Sequence, residues 1–176
     1  GEILFIFMSK PQNFPEEILD FAHCYLYSGL TLAHQFSQKP PFKTLINLSK
    51  GYLLCSHFLT AHGIELYLKF LIKLLGGSPP SNTHNLRDLN IIVDGLLKTA
   101  GYSQGLFNKR ERALITYLDR YEKFRYPTDK NWNVVNDMFN ESKKWTVSKA
   151  KKFNEEFKKM IEKLNDWGYK ITIKNK

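Results

Sequence analysis

The sequence predicts an all-α fold, an antiparallel bundle of about five helices. Three observations predict it. Apolar residues recur at intervals of three and four through five separate segments. Stops rich in proline and glycine (SQKPP, GGSPP, AGYSQG, and Pro127) divide those segments. No alternation of strand-like and helix-like segments appears, which excludes a βαβ architecture.

The first helix is expected from about Pro15 to Gln35. PEE opens it, with proline near the first helical position and acids where the helix dipole favours them. Its apolar face carries Ile18, Phe21, Ala22, Tyr25, Leu26, Gly29 and Leu32. The second begins near Phe42 or Lys43 and reaches Leu75, with a bend expected at Gly51. A short loop joins these two long helices, so they pack antiparallel. The third follows Thr83 and presents Leu86, Leu89, Ile92, Val93, Leu96 and Leu97. The fourth starts near Phe107 or Asn108, presents Ala113, Leu114, Tyr117, Leu118, Tyr121 and Phe124, and stops at Pro127. Residues 128–145 are polar and aromatic and predict no element. The fifth starts near Thr146, carries the stripe Ala150, Phe153, Phe157, Met160, Ile161 and Leu164, and is expected to end at Gly168. Beyond it YKITIK alternates like a strand, and the N-terminal ILFIF is its expected partner in a minor two-stranded ribbon.

A length of 176 residues fits one domain, 1–176, with a sizeable core. Cys24 and Cys55 sit in apolar helical patterns without a C-x-x-C, so both are expected in the core of a protein from the reducing cytoplasm. GEILFIFMSK lacks the basic start and small-residue cleavage site of a signal peptide, and Met8 is a candidate natural start.

Phe58–Gly77 reads FLTAHGIELYLKFLIKLLGG. It is apolar enough to suggest a membrane span, but His62, Glu65, Lys69 and Lys73 follow one another at spacings of 3, 4 and 4. Those spacings put all four on one helix face. A stripe holding two lysines and a glutamate is expensive in a bilayer. The segment therefore reads as the central helix of a soluble bundle, not a membrane helix.

The net charge of +9 is unevenly spread. Residues 141–176 hold 11 lysines against 5 acids, a local +6, whereas residues 1–108 are almost balanced. A basic C-terminal face suits nucleic acid or another acidic partner; a solvated lysine face is the plain alternative. No metal site, cofactor motif or hydrolase elbow is predicted: H-x-x-x-H, G-x-x-x-x-G-K-[ST], G-x-G-x-x-G and G-x-S-x-G are all absent. Two further polar groups join the stripe. THNLRDL places His84 and Arg87 at the start of the third helix, and RYEKFRYP places Arg120 and Arg125 at the end of the fourth. In a bundle that alternates up and down, the second and fourth helices end on the same side. A cationic cleft of Glu65, Lys69, His84, Arg87, Arg120 and Arg125 is then expected, in which Arg125 either contacts a ligand or pairs with Glu65 and only ties the fourth helix to the second.

ExxLK at Glu65–Lys69, HNLxxL at His84–Leu89 and RYP at Arg125–Pro127, in that order, resemble the HEPN (higher eukaryotes and prokaryotes nucleotide-binding) superfamily over about residues 15–165. The resemblance implies an antiparallel, often dimeric helical bundle. It implies a role as an RNA-cleaving toxin, as the partner of a minimal nucleotidyltransferase, or as a noncatalytic RNA- or nucleotide-binding module. Ribonuclease members place a histidine four to six residues after an arginine. Here every histidine precedes every arginine, the last histidine being His84 and the first arginine Arg87. No residue therefore inherits the catalytic role. Thr128 also stands where the family has aspartate after RYP. The expectation is a noncatalytic nucleotide-, RNA- or partner-binding homodimer in a toxin–antitoxin or defence setting. The alternative is a ribonuclease with a rearranged site using His84 with Arg87 or Arg125.

Overall fold

The computed structural model describes residues 16–37, 46–121 and 144–174, together with positions 133, 136, 137 and 140. Five helices are bounded among them: α1 (Glu16–Ser37), α2 (Ile46–Leu74), α3 (Leu86–Thr99), α4 (Lys109–Leu118) and α5 (Val147–Lys174). The described residues form an all-α bundle without strands. N-terminal ILFIF and Arg125–Pro127 lie outside the described residues, as does most of 128–145.

Helices α1 and α2 pack antiparallel, because pairing runs from His23 with Tyr67 to Leu26 with Gly63 and Gly29 with Thr60. Two glycines make the approach close. A Cβ on Gly63 would stand 2.7 Å from Leu26 Cγ, and one on Gly29 would stand 2.4 Å from Thr60 Oγ1. Ala22, Leu26 and Ala33 line the buried stripe of α1. Helix α2 runs unbroken through Gly51 and is buried around most of its circumference, from Leu53 to Ile72. It is the central helix, packed on all four others.

The chain after α2 departs from an up-and-down bundle. Gly76 (φ +80°) caps the helix, with Gly76 N donating to Lys73 O and Gly77 N to Ile72 O at 2.9 and 2.8 Å. The chain then returns along α2 until His84 reaches Glu65. Glu65 to Leu74 is nine helical residues, about 13.5 Å at 1.5 Å per residue. Seven extended residues from Gly77 to His84 span up to about 23 Å, which is ample. Helix α3 therefore runs parallel to α2, with Leu86 beside Phe58 and Ala61 at one end and Leu96 beside Gly77 at the other. Asn85 caps α3 by accepting from Asp88 N, and Asp119 Oδ1 accepts from Leu86 N at 2.7 Å.

Helix α4 starts with a capping box between Asn108 and Glu111 and is antiparallel to α2. Its start is tied to α5 by Lys163 Nζ and Glu111 Oε2 at 2.6 Å, while Tyr121 in the turn after it meets His57. The expected common direction of the second and fourth helices is thus corrected. The physical reason is the returning segment 78–85, which reverses α3 and with it α4. The helix also ends at Leu118 in a 3₁₀ turn, ahead of Pro127.

Helix α5 runs parallel to α2, with Phe157 near His57 and Gly168 near Tyr67. It passes through Gly168 to Lys174, so YKITIK is helix, and the ribbon expected from it does not form. Ile171 is buried and extends the stripe of Phe157, Met160, Ile161, Leu164 and Trp167 by one more turn. That burial outweighs the strand-like alternation. Thr172 also satisfies its hydroxyl on Gly168 O at 2.9 Å. Three packing expectations are corrected as well. Cys24 and Cys55 are exposed and free, because each sits off the stripe its helix buries. Ala113 is exposed, and so is Phe21 at 59%.

Candidate functional site

The site grows from the helical spacing of α2. His62, Glu65 and Lys69 share one face, and that face meets the end of the returning segment. Glu65 is 3% exposed, so its carboxylate must find partners or neutralise. It finds three. Lys69 Nζ donates to Oε1 at 2.8 Å, His84 Nδ1 lies 2.8 Å from the same oxygen, and His62 Nδ1 lies 3.3 Å from Oε2. Burial alone pushes the carboxyl up. The hydrogen bonds from His62, Lys69 and His84, with the charge of Lys69, outweigh it and hold Glu65 well below the usual carboxylate range.

An ionised carboxylate has no proton to give, so each Nδ1 carries the hydrogen and donates. Glu65 thereby fixes the tautomer and orientation of two imidazoles at once, and the proton chemistry of each ring falls to Nε2. His62 is held further by Tyr25, edge-on at 4.5 Å, and by Phe58, parallel at 6.3 Å between centroids.

Above the carboxylate lies a hollow bounded by Phe58, His62, His84, Leu86, Leu118 and Asp119, with about 10 Å³ of free volume. That is the order of one water molecule. A nucleotide needs a pocket of several hundred Å³, so any larger group meets this site from outside. Among the described residues, no group of three or more His, Cys, Asp or Glu has metal-holding geometry.

Of the residues the sequence pointed to, the structure brings together Glu65, Lys69 and His84. Arg87 and Arg120 are exposed and do not line the hollow, and Arg125 lies outside the described residues. His62 and Asp119 belong to the site although the cleft expected from sequence omitted them. His62 was legible in the stripe, three residues before Glu65. Asp119 gave no signal, since its link to Leu86 N spans 33 residues.

The second polar feature is the outer face of α5. Lys149, Lys151, Lys152, Lys158, Lys159 and Lys170 are exposed there, against the exposed acids Glu155, Glu162 and Asp166. Glu156 is already engaged by Arg110 at 2.8 Å. Among the described residues no helix is long and apolar enough to cross a membrane.

No protein-family model, curated protein or solved structure matches this chain.

Proposed function

We propose that the chain is a noncatalytic HEPN-like binding module whose ligand is RNA or a nucleotide. The exposed lysine face of α5 carries this reading. Six lysines against three acids on one helix form a track for a phosphate backbone, and the strength of binding comes from counterion release. The Glu65 cluster supports the noncatalytic part. Its carboxylate is consumed in anchoring α3 to α2, which is a scaffold role. In the same reading the partners are a second copy of the chain and, in a toxin–antitoxin or defence pair, a small nucleotidyltransferase.

Fluorescence anisotropy with a labelled single-stranded RNA of about 20 nucleotides tests it. Four lysine–phosphate contacts give a slope of about −3 in log K against log salt, so affinity falls about 50-fold between 50 and 200 mM salt. Changing Lys151, Lys152, Lys158 and Lys159 to Gln should flatten that slope without changing the melt. Absence of binding to RNA and to mononucleotides at 50 mM salt would overturn the reading.

One observation favours a second reading. Two imidazoles oriented side by side by a single carboxylate are the parts of a metal-independent acid–base pair. In a ribonuclease of this kind His62 and His84 would act together. Degradation of RNA by the purified protein, lost in His84→Ala, would support it.

A further inference from the structure

His57 lies on the face of α2 opposite the start of α5. It is fully buried, and aromatic rings close around it. Ring centroids stand at 4.5 Å (Phe153), 4.9 Å (Tyr121), 5.0 Å (Trp145), 5.5 Å (Tyr117) and 6.2 Å (Phe157), all edge-on or T-shaped. Among the described residues neither Nδ1 nor Nε2 has a hydrogen-bond partner. Buried polar atoms are almost always satisfied, so an imidazole with two unsatisfied nitrogens needs an explanation. A leucine would fill the space without the cost.

The cage joins three pieces of chain: α2, the end of α4 with its following turn, and the start of α5. Every described residue of the cage on the α5 side lies between Trp145 and Phe157. The rest of α5 is held elsewhere, by Asn165 against His23 at 3.1 Å and by Trp167 against Tyr102 at 5.3 Å. The α5 start is also tied to the start of α4 by Glu156 and Arg110 at 2.8 Å, a largely exposed pair that opening exchanges for water, so the α5 start can separate while the other end stays packed.

We propose that His57 is an acid-sensitive latch: proton uptake by this ring releases the start of α5, residues 147–157, from α2 and the end of α4.

In the closed cage the protonated ring would hold two N–H donors that, among the described residues, have no acceptor within hydrogen-bond reach. Among the described residues, the ionisable groups facing it are the phenols of Tyr117 and Tyr121 from α4 and its turn, whose hydroxyls lie 2.7 Å apart. The α5 side presents Trp145, Phe153 and Phe157, and among the described residues no carboxylate bonds to the ring. Cation–π attraction offsets part of the cost but supplies no acceptor. Burial accordingly pushes the His57 pKa down to about 3. In the open state the ring meets water and titrates near its ordinary 6.5. The closed state is thus fully favoured above pH 6.5 and loses ground as pH falls toward 3. Over that window one proton is taken up on opening, so the opening constant rises about tenfold per pH unit.

Hydrogen exchange on the whole chain, corrected for intrinsic rates, tests the latch. Opening of residues 147–157 should increase about thirty-fold between pH 7.5 and pH 5, while amides of Leu68 and Leu71 keep their protection. His57→Leu should remove the pH dependence at 147–157. Should that variant fail to fold, an NMR titration of the His57 ring in the wild type decides instead. A flat wild-type profile would overturn the proposal, as would the same slope in His57→Leu. So would a ring titrating near 6.5 with the α5 start still protected, because the cage would then accept the cation as it stands.

Discussion

Replacing Glu65 by Gln removes one charge and almost no volume, which isolates the electrostatic contribution of the cluster. The carboxylate is 3% exposed and holds three donors within 3.3 Å. Breaking a buried ion pair costs about 3–5 kcal/mol. That figure needs a discount here, because the side chains of Lys69, His62 and His84 keep 16%, 19% and 28% exposure and can turn to water. About 2–3 kcal/mol at pH 7 is then expected. For a chain of this length that lowers Tm by roughly 5–10 °C. The pH dependence makes the test specific. The folded carboxyl is depressed below its unfolded value of 4.5. Its contribution is therefore present above that value and is lost as pH falls below it. Between pH 5 and pH 3 the gap between wild type and variant should narrow by about 2 kcal/mol, at 1.36 kcal/mol per pH unit. His57 loses stability in the same range, but in both proteins, so it cancels in the difference. Urea unfolding of both proteins at several pH values measures the gap. A Glu65→Gln variant as stable as wild type, or a gap unchanged from pH 5 to pH 3, would refute the reasoning.

Leu68→Asp or Leu71→Asp should unfold the protein, since both side chains are fully buried and a charge there has no partner; Lys73→Ala, on an exposed position, should change the melt by less than about 0.5 kcal/mol. Gly63→Val should cost more than about 2 kcal/mol by thermal melt, because even a methyl would meet Leu26 Cγ at 2.7 Å and the α1–α2 interface would have to part. Both cysteines should react with a thiol reagent in the native protein without denaturant, and a count of one or none would contradict their exposure. Light scattering should return a homodimer of about 41 kDa, twice the 20.6 kDa chain, with exposed Phe21, Ile91, Tyr169 and Ile173 as the apolar surface available to it; a mass of one chain at tens of micromolar would rule it out.

The helices were legible where the apolar period was long and the stops were strong. The spans of α1, α2 and α3 follow directly from Leu26, Ile64 and Leu89 recurring with their neighbours between glycine and proline stops. YKITIK was misread because Ile171 satisfies both periods. As a strand it pairs in phase with Tyr169 and Ile173. As a helix it stacks one turn beyond Trp167, leaving Tyr169 and Ile173 exposed at 49% and 53%. Only the neighbouring core at Tyr67 and Tyr102 decides between them. Within the site, the Glu65–Lys69 contact is a matter of spacing and could be read directly. The third partner was expected in the right place for a different reason. His84 reaches Glu65 because segment 78–85 returns along α2, which the dipeptide Pro79–Pro80 permits but does not announce. The same return inverts α4 against the expectation of alternating helices, and it brings Leu118 and Asp119, next to Arg120, to the hollow while Arg120 itself stays exposed.

Glu65 and His57 sit two turns apart on α2, and each is a buried ionisable group. Their surroundings give them opposite roles. Glu65 lies where α2 itself supplies His62 and Lys69 and the segment entering α3 supplies His84, so its charge is retained and binds two elements together. His57 lies among five described aromatic rings and has no described hydrogen-bond partner, so its charge is excluded and the ring packs as a neutral hydrophobe. Acid therefore acts on the two by opposite routes, removing the Glu65 charge that ties α3 to α2 and imposing a His57 charge that the start of α5 cannot accommodate. The sequence of events follows from the two ordinary values, 6.5 for His57 and 4.5 for Glu65. On falling pH the start of α5 loosens first, and the α2–α3 junction holds until pH drops below about 4.5. Since α5 also bears the lysine face, acid loosens the basic surface before it reaches the scaffold beneath it.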